Sequence, residues 1–174
     1  MARALMGDAL EIRPAKPGDA RAYLEHWSAI VAEERFVRSE EVRTSARAYR
    51  RRFRQRSDLE THLLAFEGTR LVGHVTVQRE RHPVTRHVGS LAIAVAVDAR
   101  GRGIGRRLMA EAIAWSKDAG VEKLVLSVYP HNETAISLYR SFGFVEEGRL
   151  ARHSRKSYGY EDEILMAAWI GSDG

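Results

Sequence analysis

Apolar positions along the 174-residue chain follow two periodicities, and the change from one to the other divides its first third from the rest. Leu10 to Arg13 predicts a short strand closed by Pro14 and Pro17. Asp19 then serves as an N-cap for a helix to about Glu34, with Tyr23, Trp27, Ile30 and Val31 at helical spacing. Ser39 followed by Glu40 and Glu41 signals another helix start. The segment to about Arg56 places Val42, Ala46, Tyr49 and Phe53 three and four residues apart, as core positions.

From residue 61 the pattern becomes strand-like. His62 to Phe66 and Leu71 to Gln78 flank Glu67-Gly68-Thr69-Arg70, a hairpin. A long strand follows from about Val88 to Val97, where Leu91, Ile93, Val95 and Val97 alternate with Ala92, Ala94 and Ala96. One face is bulky and the other small, so something packs close to the small side. A helix from Gly103 to Ala119, a strand at Lys123 to Val128, a helix from Asn132 to Phe142 and strands near Val145 to Arg152 and Tyr158 to Ala168 complete the order β-α-α-β-β-β-α-β-α-β-β. Strands on either side of the 103–119 helix should be parallel neighbours through a right-handed crossover, and the hairpins antiparallel. The expectation is an α+β fold with a mixed, mostly antiparallel sheet of about seven strands and about four helices. No repeat or linker interrupts it, so we expect one domain with a core at about 8–170.

Composition removes several chemistries. The chain has no cysteine, which excludes disulfides, thiolate zinc sites and a cysteine nucleophile, and no metal is expected. Charges at Arg3, Asp8, Glu11, Arg13, Lys16 and Asp19 leave no apolar signal-peptide core, and no stretch approaches membrane length. A soluble, cytoplasmic protein without a membrane partner is the expectation. The net charge of +5 comes mostly from arginine, since lysine stands only at 16, 117, 123 and 156. A basic surface could attract nucleic acid, acidic protein or a phosphorylated cofactor, while a general bias in residue choice explains it as well. No helix-turn-helix, zinc finger or aromatic RNA-binding strand is recognisable, so no nucleic-acid partner is expected.

The candidate chemistry begins at Arg100-Gly101-Arg102-Gly103-Ile104-Gly105, between a strand and a helix. Glycine lets backbone N–H groups approach an anion, and the free N–H groups of the helix start would face it. Arg100, Arg102, Arg106 and Arg107 add charge, which suggests a phosphate or diphosphate. A dinucleotide loop would need glycine at Arg106 and an acidic residue near Ser127, Val128 or Tyr129; an ATP loop would need Gly-Lys-Ser/Thr. Neither is present.

The remaining pattern, Arg-x-x-Gly-x-Gly, resembles the acetyl-CoA motif of the GNAT superfamily of N-acetyltransferases. The run Asn132-Glu-Thr-Ala135-Ile136-x-Leu138-Tyr139-x-x-x-Gly143-Phe144 resembles the second half of the same pattern. The resemblance implies that acetyl-CoA is the cosubstrate and that Arg100, Arg102, Gly103, Ile104, Gly105, Arg106, Arg107 and Asn132 contact it. It implies that the strand ending near Val97 diverges from the strand at 123–128, with backbone of Val95 and Val97 pairing with the pantetheine arm and Ala96 between them leaving room for it as part of the cofactor site. Tyr139 would act as general acid toward the leaving thiolate, although its setting among Ala135, Ile136, Leu138 and Phe142 also suits a core tyrosine. Many related enzymes carry a glutamate base on the central strand, but residues 88–97 contain no carboxylate. Glu33 and Glu34 are the alternative candidates, with His87 and Ser90 behind them. The tail, Glu146-Glu147-Gly148-Arg149 and Tyr160-Glu161-Asp162-Glu163, resembles the branch holding amino-acid and ribosomal-protein N-acetyltransferases. The expected acceptor is the primary amine of an amino acid or analogue. A protein N-terminus and a non-catalytic acyl-CoA-binding module are the alternatives, and a homodimer is common in that family.

Overall fold

The computed structural model describes residues 9–55 and 57–171. Seven strands form one sheet: β1 (Leu10–Pro14), β2 (Glu60–Glu67), β3 (Arg70–Arg79), β4 (Val88–Val95), β5 (Lys123–Val128), β6 (Val145–Lys156) and β7 (Gly159–Trp169), in the order β1-β2-β3-β4-β5-β7-β6. The helices are α1 (Ala20–Val31), α2 (Ala46–Arg54), α3 (Ile104–Asp118) and α4 (Glu133–Arg140). Every strand pair is antiparallel except β4 with β5, which the α3 crossover makes parallel.

Side-chain alternation sends successive residues of the sheet to opposite faces, and the two faces bury different clusters. Leu63, Ala65, Val75, Val77 and Leu91 pack with Leu108, Met109 and Ala112 of α3, and with Phe144 and Met166. Leu64, Phe66 and Leu71 pack instead with Tyr23 of α1 and Tyr49 and Phe53 of α2. β2 is buried on both faces through most of its length, which is why its sequence runs Leu-Leu-Ala-Phe without polar alternation.

Several boundaries differ from expectation: β6 runs on to Lys156, past Arg152, and α4 ends at Arg140, short of Phe142. The first helix ends at Val31, and Glu34, its expected end, has a left-handed φ of 52°. Asp19 does not cap that helix through its side chain: its carboxylate takes two bonds from Arg13 at 2.7 and 2.9 Å and a third from the Lys16 N–H at 2.7 Å. Helix α2 starts at Ala46, not Ser39, with Ser45 Oγ accepting from the Ala48 N–H at 3.3 Å. Glu40 is drawn away by a tertiary partner, the Ser157 N–H at 2.8 Å, and Val42 stays outside the helix, half-buried. The long strand stops at Val95, and Val97, expected on its bulky face, lies in a 3-10 turn (Val97–Ala99) and is 60% exposed. Residue 8 and Arg56, which bounded the expected core and second helix, lie outside the described residues.

β4 and β5 share only three register pairs, Val88↔Lys123, Gly89↔Leu124 and Ser90↔Val125. β3 stays paired with β4 to Gly73↔Val95, and β7 with β5 to Ile164↔Val128. The two central strands therefore part after Ser90, and each carries an unpaired inner edge along the opening.

Candidate active site

The opening between β4 and β5 ends beside the glycine turn. Gly101 and Gly103 have φ of 73° and 79°, a left-handed conformation that residues with a Cβ adopt only with strain. Gly103 caps α3, whose first protein-bonded N–H is that of Arg107, to the Gly103 carbonyl at 3.1 Å. Among the described residues, no main-chain N–H from 101 to 106 donates to a protein acceptor. That is the arrangement of donors an anion requires. Gly105 serves a different need: a Cβ there would stand 3.2 Å from Leu138 Cδ2, so its absence lets α3 lie close against α4.

The four arginines of the motif are held by neighbouring protein groups. Arg100 donates from Nε to the Val95 carbonyl at 3.0 Å and from Nη2 to Glu33 at 2.8 Å. Arg102 pairs with Glu67 at 3.1 Å, Arg106 reaches Ser141 Oγ at 3.2 Å over the Phe142 ring, and Arg107 reaches the Leu10 carbonyl at 3.2 Å. The turn thus presents main chain first, with guanidinium groups at its margin.

Asn132 caps α4, its Oδ1 accepting from the Ala135 N–H at 3.3 Å, and its own N–H bonds the Tyr129 carbonyl at 3.0 Å. These bonds tie the start of α4 to the end of β5. Tyr139, two turns on, is 7% exposed and packs against Phe144 with ring centroids 5.9 Å apart. Burial pushes its phenol up to about 12.

Of the four candidate bases, Glu33 lies beside the β4 end, locked to Arg100, and Glu34 next to it is exposed. Ser90 is exposed at the point where β4 and β5 part. His87 precedes β4, at the end of the strand opposite the glycine turn, with its ring 6.4 Å from that of Trp169.

Several buried polar groups lie near the open end of β5 without having been anticipated. Glu163 of β7 is 2% exposed, and Ser154 Oγ donates to it at 2.6 Å. Tyr129 and Lys156 are equally enclosed, and Lys156 Nζ bonds the carbonyls of Val37 and Arg38 at 2.6 and 3.2 Å. With the bond from His131 Nε2 to the Arg35 carbonyl at 3.1 Å and the stacking of Phe36 on His131, these contacts fasten residues 33–40 over the opening as a strap. The only hint in the sequence was a glutamate directly before the apolar run Ile164-Leu165-Met166, in phase with one strand face. Among the described residues, no group of three His, Cys, Asp or Glu is arranged to hold a metal, and no helix is long and apolar enough to cross a membrane.

The family model for the acetyltransferase (GNAT) family matches residues 22–144. The L-amino acid N-acetyltransferase AaaT of Escherichia coli is 31% identical over 98 residues, 56% of this chain and 60% of that protein. The [ribosomal protein bS18]-alanine N-acetyltransferase of Salmonella typhimurium is 40% identical over 75 residues, 43% of this chain and 51% of that one. The match therefore spans about half the length of these curated relatives. A GNAT-family acetyltransferase from Streptococcus pneumoniae superposes with a TM-score of 0.88 at 28% identity, covering 94% of this chain and all of that one. With a family model matched over most of its length, a parted β4–β5 pair and the glycine turn beside it, the chain belongs to the acetyltransferase (GNAT) family.

Proposed function

We propose that the protein transfers an acetyl group from acetyl-CoA to the primary amine of an amino acid or close analogue, by direct attack with both substrates bound. One observation carries this: the unpaired edges of β4 and β5 open onto a turn whose N–H groups from 101 to 106 have no protein acceptor among the described residues. An extended amide-bearing arm ending in a diphosphate matches those two features together, the arm as an added strand and the diphosphate at the helix start. Acetyl-CoA supplies the activated acyl group as a thioester.

The protein's part is positioning and proton management. Val95 and Val97 offer main-chain N–H groups to the arm, and the Val95 carbonyl becomes available once Arg100 releases it; Ala96, expected beside them, spends its N–H on the Val72 carbonyl and its carbonyl on the Ala99 N–H and can add only its small side chain. Gly103, Ile104 and Gly105 offer N–H groups to the diphosphate, with Arg100, Arg102, Arg106 and Arg107 around them. Asn132 fixes the start of α4, and Tyr139 donates its phenolic proton toward the departing thiolate. Burial pushes the phenol up to about 12, so it stays protonated and can support the departing thiolate by a hydrogen bond, while a proton from the attacking amine completes the thiol.

Glu33 stands as the candidate proton acceptor at the strand end, reachable when Arg100 turns outward, with Glu34 as its neighbour. The likeness to the ribosomal-protein-alanine enzyme favours a second reading, a protein N-terminus as acceptor. Free CoA released from acetyl-CoA, measured over a panel of amines, amino acids and peptides, separates the two. Calorimetry showing no binding of CoA or acetyl-CoA would overturn both.

A further inference from the structure

The strap and the β6–β7 hairpin enclose two opposite charges that do not pair with each other. Glu163 is buried and has hydroxyl partners; its nearest guanidinium nitrogen, Arg38 Nε, is 3.9 Å away, beyond hydrogen-bond distance. Lys156 is 5% exposed, yet it directs two protons to main-chain carbonyls and lies 5.8 Å from the Tyr129 ring centroid. No ion pair within 4 Å joins Lys156 to Glu163 among the described residues. The hydroxyl of that same Tyr129 is buried with no hydrogen-bond partner. Ser154 lies near that hydroxyl, but the geometry of a bond is not met and its own proton goes to Glu163.

Such a set is costly unless something completes it. The carboxylate is left with hydroxyl donors and, at 3.9 Å, one exposed guanidinium, and the buried phenol has no partner. Burial raises the Glu163 carboxyl, but the Ser154 and Ser127 hydroxyls and the Arg38 charge outweigh it and hold the group below the ordinary range. Glu163 is therefore held as a carboxylate, a counter-charge for an ammonium and a poor base for removing its proton. Strand register puts it where an incoming amine can reach it, because Ile164 pairs with Val128 and Leu165 with Ser127, so Glu163 flanks Tyr129 at the open end of β5.

Arg38 supplies the second half. Its side chain is two-thirds exposed and stands in the wall of a cleft of about 650 Å³, lined also by Trp27, Ser39, Thr44 and the charged Glu40, Glu41 and Arg43. Since it makes no hydrogen bond to Glu163, it can swing toward a ligand that enters from the cleft.

We propose that Glu163, the Tyr129 hydroxyl and Arg38 form the acceptor site for a free α-amino acid: Glu163 and Tyr129 take the ammonium, and Arg38 takes the α-carboxylate. The proposal rests on the acetyl-transfer reading above and adds the residues that would hold the acceptor and the reason a free acid is preferred to an amide. A peptide N-terminus has an amide where a free amino acid has a carboxylate, so Arg38 discriminates against it.

The test uses the full chain with acetyl-CoA, a panel of free L-amino acids and the matching α-amides, and calorimetry of acetyl-CoA with each variant. The wild-type protein should favour free acids over amides by about tenfold or more in kcat/KM. Arg38→Ala, at an exposed position that should not disturb folding, should raise KM for the acids by about 10- to 100-fold, with kcat and the amides within about twofold. Glu163→Gln, nearly isosteric, should lower kcat/KM for acids and amides alike by about 100-fold while acetyl-CoA affinity holds within about twofold. Equal use of acids and amides by the wild type, or an unchanged Arg38→Ala variant, overturns this inference and leaves acetyl transfer standing. Failure of the wild type to bind acetyl-CoA overturns the acetyl-transfer reading and this one with it.

Discussion

Nε2 of His26 lies 3.1 Å from Nδ1 of His74 in the buried layer between α1 and β3. One ring must donate and the other accept, so at most one of the two imidazoles can carry a second proton, and burial disfavours even that one. Burial lowers His26 to about 4, and His74 is pushed well below 6.5 by the same cause and by the neighbouring histidines.

The folded protein should therefore lose stability in mild acid. Below pH 6.5 the unfolded chain binds protons that folded His26 and His74 refuse, so unfolding becomes easier as pH falls. His26 alone should remove about 3 kcal/mol between pH 6.5 and pH 4, at roughly 1.4 kcal/mol per pH unit. Urea unfolding from pH 7 to 5.5 checks the slope, because the lowered carboxyls of Asp19, Glu60 and Glu163 begin to respond only as pH approaches their unfolded values of 3.8 and 4.5. A flat profile would mean that the pair carries a proton when folded.

Tyr139→Phe should lower kcat by about 100-fold and leave the acetyl-CoA dissociation constant within about threefold, since the ring still packs on Phe144 and only the hydroxyl is lost. Steady-state kinetics beside calorimetry separates the two quantities. An unchanged kcat removes Tyr139 from the chemistry and leaves it as a core residue.

Gly103→Val forces a β-branched residue into φ of 79° at the cap of α3. The cost should be about 1–3 kcal/mol of stability, and the affinity for CoA should fall by about tenfold or more. Thermal unfolding and CoA titration measure the two effects. No side chain crowds that position, so a loss of stability reports backbone strain and not a clash.

Lys156→Met keeps an apolar stem in the hairpin but frees the carbonyls of Val37 and Arg38. Amide hydrogen exchange over residues 33–40 should accelerate by about tenfold, with α3 and β4 unchanged. Equal exchange in both proteins would show that other contacts hold the strap.

Most of the sheet was legible because β2 to β7 are marked by strong apolar runs and clear turns, and the two motifs located the turn at 100–105 and the start of α4. The errors fell where tertiary partners compete for local signals. Ser39 and Ser45 are equally good helix starts in isolation, and the bond from Ser157 to Glu40 leaves only Ser45 to act as one. Asp19 reads as a cap until Arg13, six residues earlier, claims its carboxylate. Val97 continues the alternation of β4 in sequence but not in space, because the chain must turn toward α3. The divergence of β4 from β5 leaves no mark in side-chain pattern, since register concerns backbone, and was accessible only through family resemblance. Glu163 could not be singled out because its enclosure depends on residues 38, 127 and 154 meeting it from three separate segments.

The three-pair seam between β4 and β5 makes the sheet two blades, β1–β4 and β5–β7–β6, stitched at one end. Whatever lies along the open part behaves as an eighth strand supplied from solution, so ligand and fold stabilise each other. At a hundredfold excess over its dissociation constant such a ligand would add about 2.7 kcal/mol of stability. A chain cut in the connection after β4 would then have a reassembly equilibrium that acts as a gauge of its cosubstrate.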